Sequence, residues 1–246
     1  MRRLETIESA FPNVIQKLLP RPERAYAPGS LPTRLRARRF ALFSSLLQDW
    51  PRPLHIIDVG GTNDFWEHQR WAGRDDIRIT LVNLQPEPAR FSNIVSIDAD
   101  ATDLHAFQDR SFDVAFSNSA IEHLYTFRNQ QRMAAEIRRL AKGYWVQTPN
   151  YWFPIEPHFQ FLAWHWLPIP WRVEILRRRT CGWRGQTPDP ARARKLVEEV
   201  RLLCRRELHE LFPDAALVPE RFLGLVKSWI AVGGRLRSAQ RRAPPL

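Results

Sequence analysis

The chain has 246 residues, 44% of them hydrophobic, with ten Trp and fourteen Phe, enough to fill the core of one large α/β domain or two small domains. Its 37 Lys and Arg against 26 Asp and Glu leave a net charge of +11, carried almost wholly by Arg, which favours anionic partners without specifying one. Cys181 and Cys204 stand outside any C-x-x-C pair, which argues against a disulfide framework and a structural zinc site, and no stretch has the roughly 18 continuous apolar residues of a transmembrane helix. With no apolar signal core behind Met1-Arg2-Arg3, the expectation is a cytoplasmic protein.

Residues 1–50 read as a helical lead-in. Ile7, Phe11, Val14, Ile15 and Leu18 recur at helical spacing between Glu5 and Leu19, and a proline-rich linker follows from Arg21 to Pro32. Thr33 is expected to cap a second helix running to about Gln48, with Leu35, Phe40, Phe43, Leu46 and Leu47 as its buried side. Pro51 and Pro53 stop it before the first strand, Leu54 to Val59, which breaks on Gly60-Gly61. A helix should begin at Phe65.

Strands are then expected at Ile77–Val82, Ile94–Ile97 and Phe112–Ser117, each ending in polar residues: Asn83, the run Asp98 to Asp103, and Asn118-Ser119. A helix from about Asn129 to Leu140 leads through Gly143 to a fifth strand, Tyr144–Gln147. Strands alternating with helices at this spacing imply right-handed crossovers and a parallel sheet. Tyr151 to Trp171 holds eight aromatic residues broken by prolines and is expected to cap the carboxyl edge of the sheet. From Arg172 to Arg206 eleven residues are basic and four acidic, much of this on a helix from about Pro190 to Leu211. Ala215–Phe222 and Lys227–Val232 are joined too closely for a helical crossover, so they should be antiparallel, and residues 235–246 should form a flexible basic tail.

At Ile56-Ile57-Asp58-Val59-Gly60-Gly61, at Asp100-Ala101-Thr102-Asp103-Leu104 and at Ser111 to Leu124 the chain resembles the class I S-adenosylmethionine-dependent methyltransferases, particularly the small-molecule type 11 group. The resemblance implies a Rossmann-like α/β fold. It has a seven-stranded, mostly parallel sheet with an antiparallel last strand, helices on both faces, N-terminal helices and an aromatic cap insertion. The methyltransferase domain would span 51–234, with the cap and basic helix at 151–211. S-adenosyl-L-methionine is the implied cofactor, held by Asp58, Gly60, Gly61, Thr62, Asn83, Asp100, Ala101 and Asn118. The acceptor would meet Glu122, Asn150, Tyr151 and Trp152. Two departures stand out. Thr62 and Asp64 occupy places where the family has glycines, and Asn83 replaces the usual acid at the end of the second strand, leaving ribose recognition to an amide or to a substitute such as Glu87.

The absence of G-x-G-x-x-G argues against a dinucleotide, whose pyrophosphate needs a glycine-rich helix start, while Asp58, Asp64, Asp100 and Asp103 suit a cationic sulfonium ligand. Methyl transfer requires alignment more than proton transfer; His123 is the first candidate base and His158 the second. His158 and Glu156 lack a third ligand at metal spacing, so no metal is expected. The function read here is therefore methyl transfer to a small-molecule, lipid-like or glycan acceptor, with peripheral contact to an anionic membrane suggested by the aromatic and basic stretches. The alternatives are a nucleic-acid methyltransferase or RNA/DNA-binding module, with Trp171 and Trp183 as stacking platforms, and a non-catalytic scaffold with a degenerate cofactor motif.

Overall fold

The structure, a computed structural model, describes residues 31–240. The expected helix between Glu5 and Leu19, and residues 241–246 of the expected tail, lie outside the described residues. The chain divides into two compact units, one comprising residues 40–153 and 198–246 and the other residues 1–39 and 154–197.

The larger unit is built on a seven-stranded sheet of order β3-β2-β1-β4-β5-β9-β8. Its strands are β1 Leu54–Val59, β2 Ile77–Asn83, β3 Ile94–Asp98, β4 Phe112–Asn118, β5 Ala141–Pro149, β8 Ala216–Phe222 and β9 Leu225–Gly234. The first five are mutually parallel, and β9 runs antiparallel to both β5 and β8. The order reverses between β1 and β4, so the carboxyl ends of those two strands form the switch point where an open α/β sheet takes its ligand.

Alternation along each strand feeds two apolar clusters, one on each face. Ile56, Ile79, Phe116 and Trp145 join Phe43, Leu47 and Trp66 on one side, covered by helix α1 (Leu31–Ser45) and the short α2 (Asn63–His68). Ile57, Val59, Ala115 and Val146 join Met133, Ile137, Leu208 and Leu211 on the other, covered by α3 (Phe127–Leu140) and α6 (Arg205–Leu211). Burial on both faces is why these strands read as nearly continuous apolar runs.

Several local expectations are corrected. Thr33 lies inside α1 and does not cap it, because the helix already begins at Leu31. Gly143 sits within β5, which starts directly after α3; a Cβ there would meet the Leu236 side chain at 3.1 Å and Trp50 at 3.3 Å. The expected basic helix is two helices, α5 (Pro190–Glu198) and α6, because the backbone between them is drawn into contacts with the sheet: Arg201 N–H donates to Glu122 O, and Leu203 bridges Asn150. Arg235–Gln240 forms helix α7 where a frayed tail was expected, since Leu236 is fully buried in the first cluster.

The smaller unit, over its residues 154–197, contains a two-residue hairpin, β6 (Ile155–Glu156) with β7 (Phe161–Leu162), a 3-10 turn at Trp164–Trp166, helix α4 (Ile169–Arg178), and all but the last residue of α5. Phe159 and Trp164 stack at 4.3 Å and are both buried. Gly182 has φ +52, and a Cβ on it would lie 2.6 Å from the Phe159 backbone.

Candidate active site

The turn after β1 is shaped by the protein's own atoms. Gly60 has φ +84, donates its N–H to Val82 O at 2.9 Å, and a Cβ on it would come within 2.4 Å of Ala120 Cβ. Glycine is required twice over at that position, by dihedral and by space. At Gly61 a Cβ would fall 1.9 Å from Asp58 Oδ2, so the turn lies directly against the Asp58 carboxyl. That carboxyl is buried beneath it: Oδ2 accepts from the indole N–H of Trp66 at 2.7 Å, and Oδ1 is buried without a partner among the described residues. Desolvation pushes the Asp58 pKa up to about 7, only partly opposed by the Trp66 hydrogen bond. Asp58 thus fixes the Trp66 indole and leaves room above it for a glycine alone. Thr62 serves as the N-cap of α2, its Oγ1 accepting from Phe65 N–H at 3.3 Å.

The end of β2 is tied to the same turn. Asn83 Nδ2 donates to Gly61 O at 2.8 Å, which turns Oδ1 away as the remaining acceptor. Asn63, fully buried, donates to Pro88 O and accepts from Arg90 N–H, fastening the loop after β2 to α2, while Asp64 pairs with Arg90. Asp64 is therefore engaged on the loop. Glu87 shares that loop and stands exposed.

Asp98, the last residue of β3, lies in register with Asn83, so both side chains leave the same face of the sheet at its carboxyl end. It is exposed. Sequence reading missed Asp98 because it ended the third strand one residue early, at Ile97. Two residues on, Asp100 Oδ1 accepts from Thr102 N–H at 2.8 Å in a tight turn, leaving Oδ2 as its second acceptor, and Ala101 packs half-buried on the second cluster. Asp103 is turned to His105, 2.8 Å away. Arg139 secures this loop from α3, donating to Leu104 O and Phe107 O.

Beyond β4, Asn118 is half-buried in register with Gln147. Ser119 adopts φ 58 and is held by its N–H to Gln147 O (3.0 Å) and its hydroxyl to Gln147 Oε1 (2.9 Å). The chain then forms a 3-10 turn, Ile121–His123. Glu122 is fully buried, its Oε2 accepting from Thr148 Oγ1 at 3.0 Å. His123 is half-buried, its Nδ1 lying 3.4 Å from Glu199 Oε1. The turn is braced from behind. Gln130 Nε2 donates to Ile121 O and Arg201 O, and Arg201 donates to Gln130 Oε1 at 2.8 Å and Glu207 Oε1 at 2.5 Å. Neither Glu199 nor this brace had a signal in sequence, since they join the 3-10 turn and α3 to a segment some seventy residues later.

The four expected acceptor residues play different parts. Glu122 is packed inside. Asn150 is a clamp: Nδ2 donates to Val226 O at 2.8 Å, and Oδ1 accepts from Trp152 N–H at 3.3 Å. Tyr151 donates its N–H to Leu203 O, and the Trp152 side chain is exposed. His158 belongs to the smaller unit, where its Nδ1 lies 2.7 Å from the buried carboxylate of Glu156, whose Oε2 accepts from Phe159 N–H at 2.7 Å. The larger unit by itself therefore brings together, at the carboxyl edge, the Gly60-Gly61 turn, Asn83, Asp98, Asp100, Asn118 and His123.

Residues 61–143 match the sequence pattern of a methyltransferase domain family. No curated protein matches the chain. Among solved structures it is similar to the CurJ carbon methyltransferase, with a TM-score of 0.52 and 10% identity over 85% of this chain and 56% of that one. It also aligns with a SAM-dependent methyltransferase from Aquifex aeolicus, TM-score 0.46 and 15% identity over 90% and 96% of the two chains. A third is the 1,6-didemethyltoxoflavin-N1-methyltransferase of Burkholderia thailandensis, solved with S-adenosylhomocysteine, TM-score 0.48 and 16% identity over 89% and 85%. At these identities the likeness is one of fold.

Proposed function

We propose a reaction for a chain whose residues 61–143 belong to the type 11 methyltransferase domains of the class I fold: transfer of the S-adenosylmethionine methyl group to a small-molecule, lipid-like or glycan acceptor. The observation that carries this reading is the charge of the carboxyl edge. Around the Gly60-Gly61 turn stand Asn83, Asp98, Asp100 and Asn118, and the run Ile94 to Asp103 has three Asp and neither Lys nor Arg. Such a rim favours a cationic ligand with hydroxyl and amino groups to donate, and disfavours a pyrophosphate.

When bound, S-adenosylmethionine supplies a methyl group already activated on a sulfonium sulfur, so the chain's contribution is alignment. Asn83 Oδ1 and the Asp98 carboxylate offer acceptors for the ribose hydroxyls. Asp100 Oδ2 offers one for the adenine amino group, with Ala101 N–H as a donor to the ring. Asp58 lies against Gly61 beneath the turn and fixes the Trp66 indole. For a hydroxyl acceptor, His123 is the base. The Glu199 carboxylate, 3.4 Å from Nδ1, offsets the positive charge the ring gains with the acceptor's proton.

Calorimetric titration of the full chain with S-adenosylhomocysteine tests the reading, with NADH as the contrasting ligand. Binding of S-adenosylhomocysteine should raise the melting temperature, by an amount equivalent to about 2.7 kcal/mol when free ligand exceeds Kd about 100-fold. Neither heat nor a thermal shift at millimolar ligand, or tighter binding of NADH, would overturn it.

A further inference from the structure

The smaller unit presents a surface whose chemistry does not belong to methyl transfer. Residues 154–197 hold eight Lys or Arg and three acidic side chains. Each acid is engaged within the unit. Glu156 is buried against His158 and Phe159 N–H, Glu174 pairs with Arg177 at 2.8 Å and Arg178 at 2.7 Å, and Asp189 Oδ1 accepts from Arg192 N–H at 2.6 Å at the start of α5. Arg178, Arg179, Arg192, Arg194 and Lys195 are exposed. Among these cations stand three large aromatic side chains with much of their surface in solvent: Trp171 at 64%, Trp183 at 45% and Trp166 at 44%. On α4, Trp171, Glu174 and Arg178 follow at i, i+3 and i+7, so an indole and a guanidinium share one helix face while Leu176 is buried.

We propose that residues 154–197 seat this protein on an anionic lipid surface, with the exposed tryptophans at the boundary between headgroups and acyl chains and the arginines on the phosphates. Indoles have an apolar body and a polar N–H, which suits that boundary, and clustered basic side chains are drawn to an anionic leaflet. Leu162, Pro168 and Pro170 of the same stretch are also exposed. Lipid accepts such an aliphatic surface along with the indoles, whereas a nucleic-acid strand would stack on the indoles alone and gain nothing from it. No helix among the described residues is long and apolar enough to cross a membrane, so the attachment is peripheral.

Co-sedimentation of the full chain with vesicles, without cofactor, tests this independently of the methyltransferase reading. Vesicles of phosphatidylcholine with about 30% phosphatidylglycerol should bind the protein at least tenfold more tightly than phosphatidylcholine alone at low salt, and the difference should shrink as salt rises. Indole emission should shift to the blue and be quenched by lipids brominated near the headgroup. Arg178→Gln, Arg192→Gln and Lys195→Gln together should lower binding about tenfold, and Trp171→Ala should lower it while leaving the salt dependence unchanged. Far-UV circular dichroism and the melting temperature report that each variant is folded. Equal binding to both vesicles, variants that bind like the parent, or tighter binding to an RNA or DNA oligonucleotide at the same salt would overturn the proposal.

Discussion

Asp58 is a buried carboxyl with one oxygen on an indole and the other without a partner among the described residues, and its titration follows from that. An ordinary aspartate titrates near 3.8, whereas this one is pushed up to about 7. The folded state therefore holds the extra proton between those values. Its contribution is complete at and below the lower pKa and is lost as pH rises toward the upper one, at up to about 1.4 kcal/mol per pH unit. Asp58→Asn keeps an oxygen for Trp66 and removes the charge, so its stability advantage over the parent should grow from about pH 4 to about pH 7 and then level off. Urea midpoints across that range check this, and parallel curves for the two proteins would refute it. Asn83 gives a second residue-scale expectation. An aspartate there would remove the donor to Gly61 O and set two oxygens against each other, so Asn83→Asp should weaken S-adenosylhomocysteine binding by about 1–3 kcal/mol. A tighter complex by calorimetry would show that the Gly61 carbonyl is not what fixes the choice of amide. The family pattern alone suggests the opposite sign, since it places an acid at this position for the ribose and says nothing of a carbonyl 22 residues earlier.

At the scale of elements, the parallel strands were legible because burial on both faces leaves apolar runs that stop on polar residues at one edge, as at Asn83, Asp98 and Asn118. The region from Pro190 to Leu211 was not. Its residues keep a helical rhythm on either side of a gap, and the gap is caused by partners far away in the chain: Glu122 O takes the Arg201 N–H, and Tyr151 N–H takes Leu203 O. The brace formed there by Gln130, Arg201 and Glu207 holds the 3-10 turn that carries His123. Arg201→Ala leaves Gln130 Oε1 and the Glu207 carboxylate without this donor, which should cost about 2 kcal/mol of unfolding free energy, discounted for the partial exposure of the pair. Arg201→Lys should recover part of it by keeping the charge. Equal urea midpoints for the parent and the alanine variant would mean that the turn is held by its own backbone.

For the whole molecule, the count of charges described a field, and only the fold shows how its parts differ: an acidic rim along β3 and its following loop in one unit, and, over residues 154–197 of the other, engaged acids alongside exposed cations. The boundary between the units was hidden in the sequence. The aromatic run begins at Tyr151, yet Tyr151 to Phe153 stay with the sheet, because Asn150 and Leu203 keep hold of the backbone there. The meeting of Gly60 and Ala120 has a consequence for how this protein drifts. Position 60 cannot acquire a side chain through one permissive change at its neighbour, since Ala120→Gly would clear the volume but not the positive φ. Nor can the neighbour step aside, because Ser119 is fastened twice to Gln147. The first turn of the site is thereby inherited as a block with the ends of the fourth and fifth strands, and descendants that keep this sheet keep that glycine whether or not they keep the ligand.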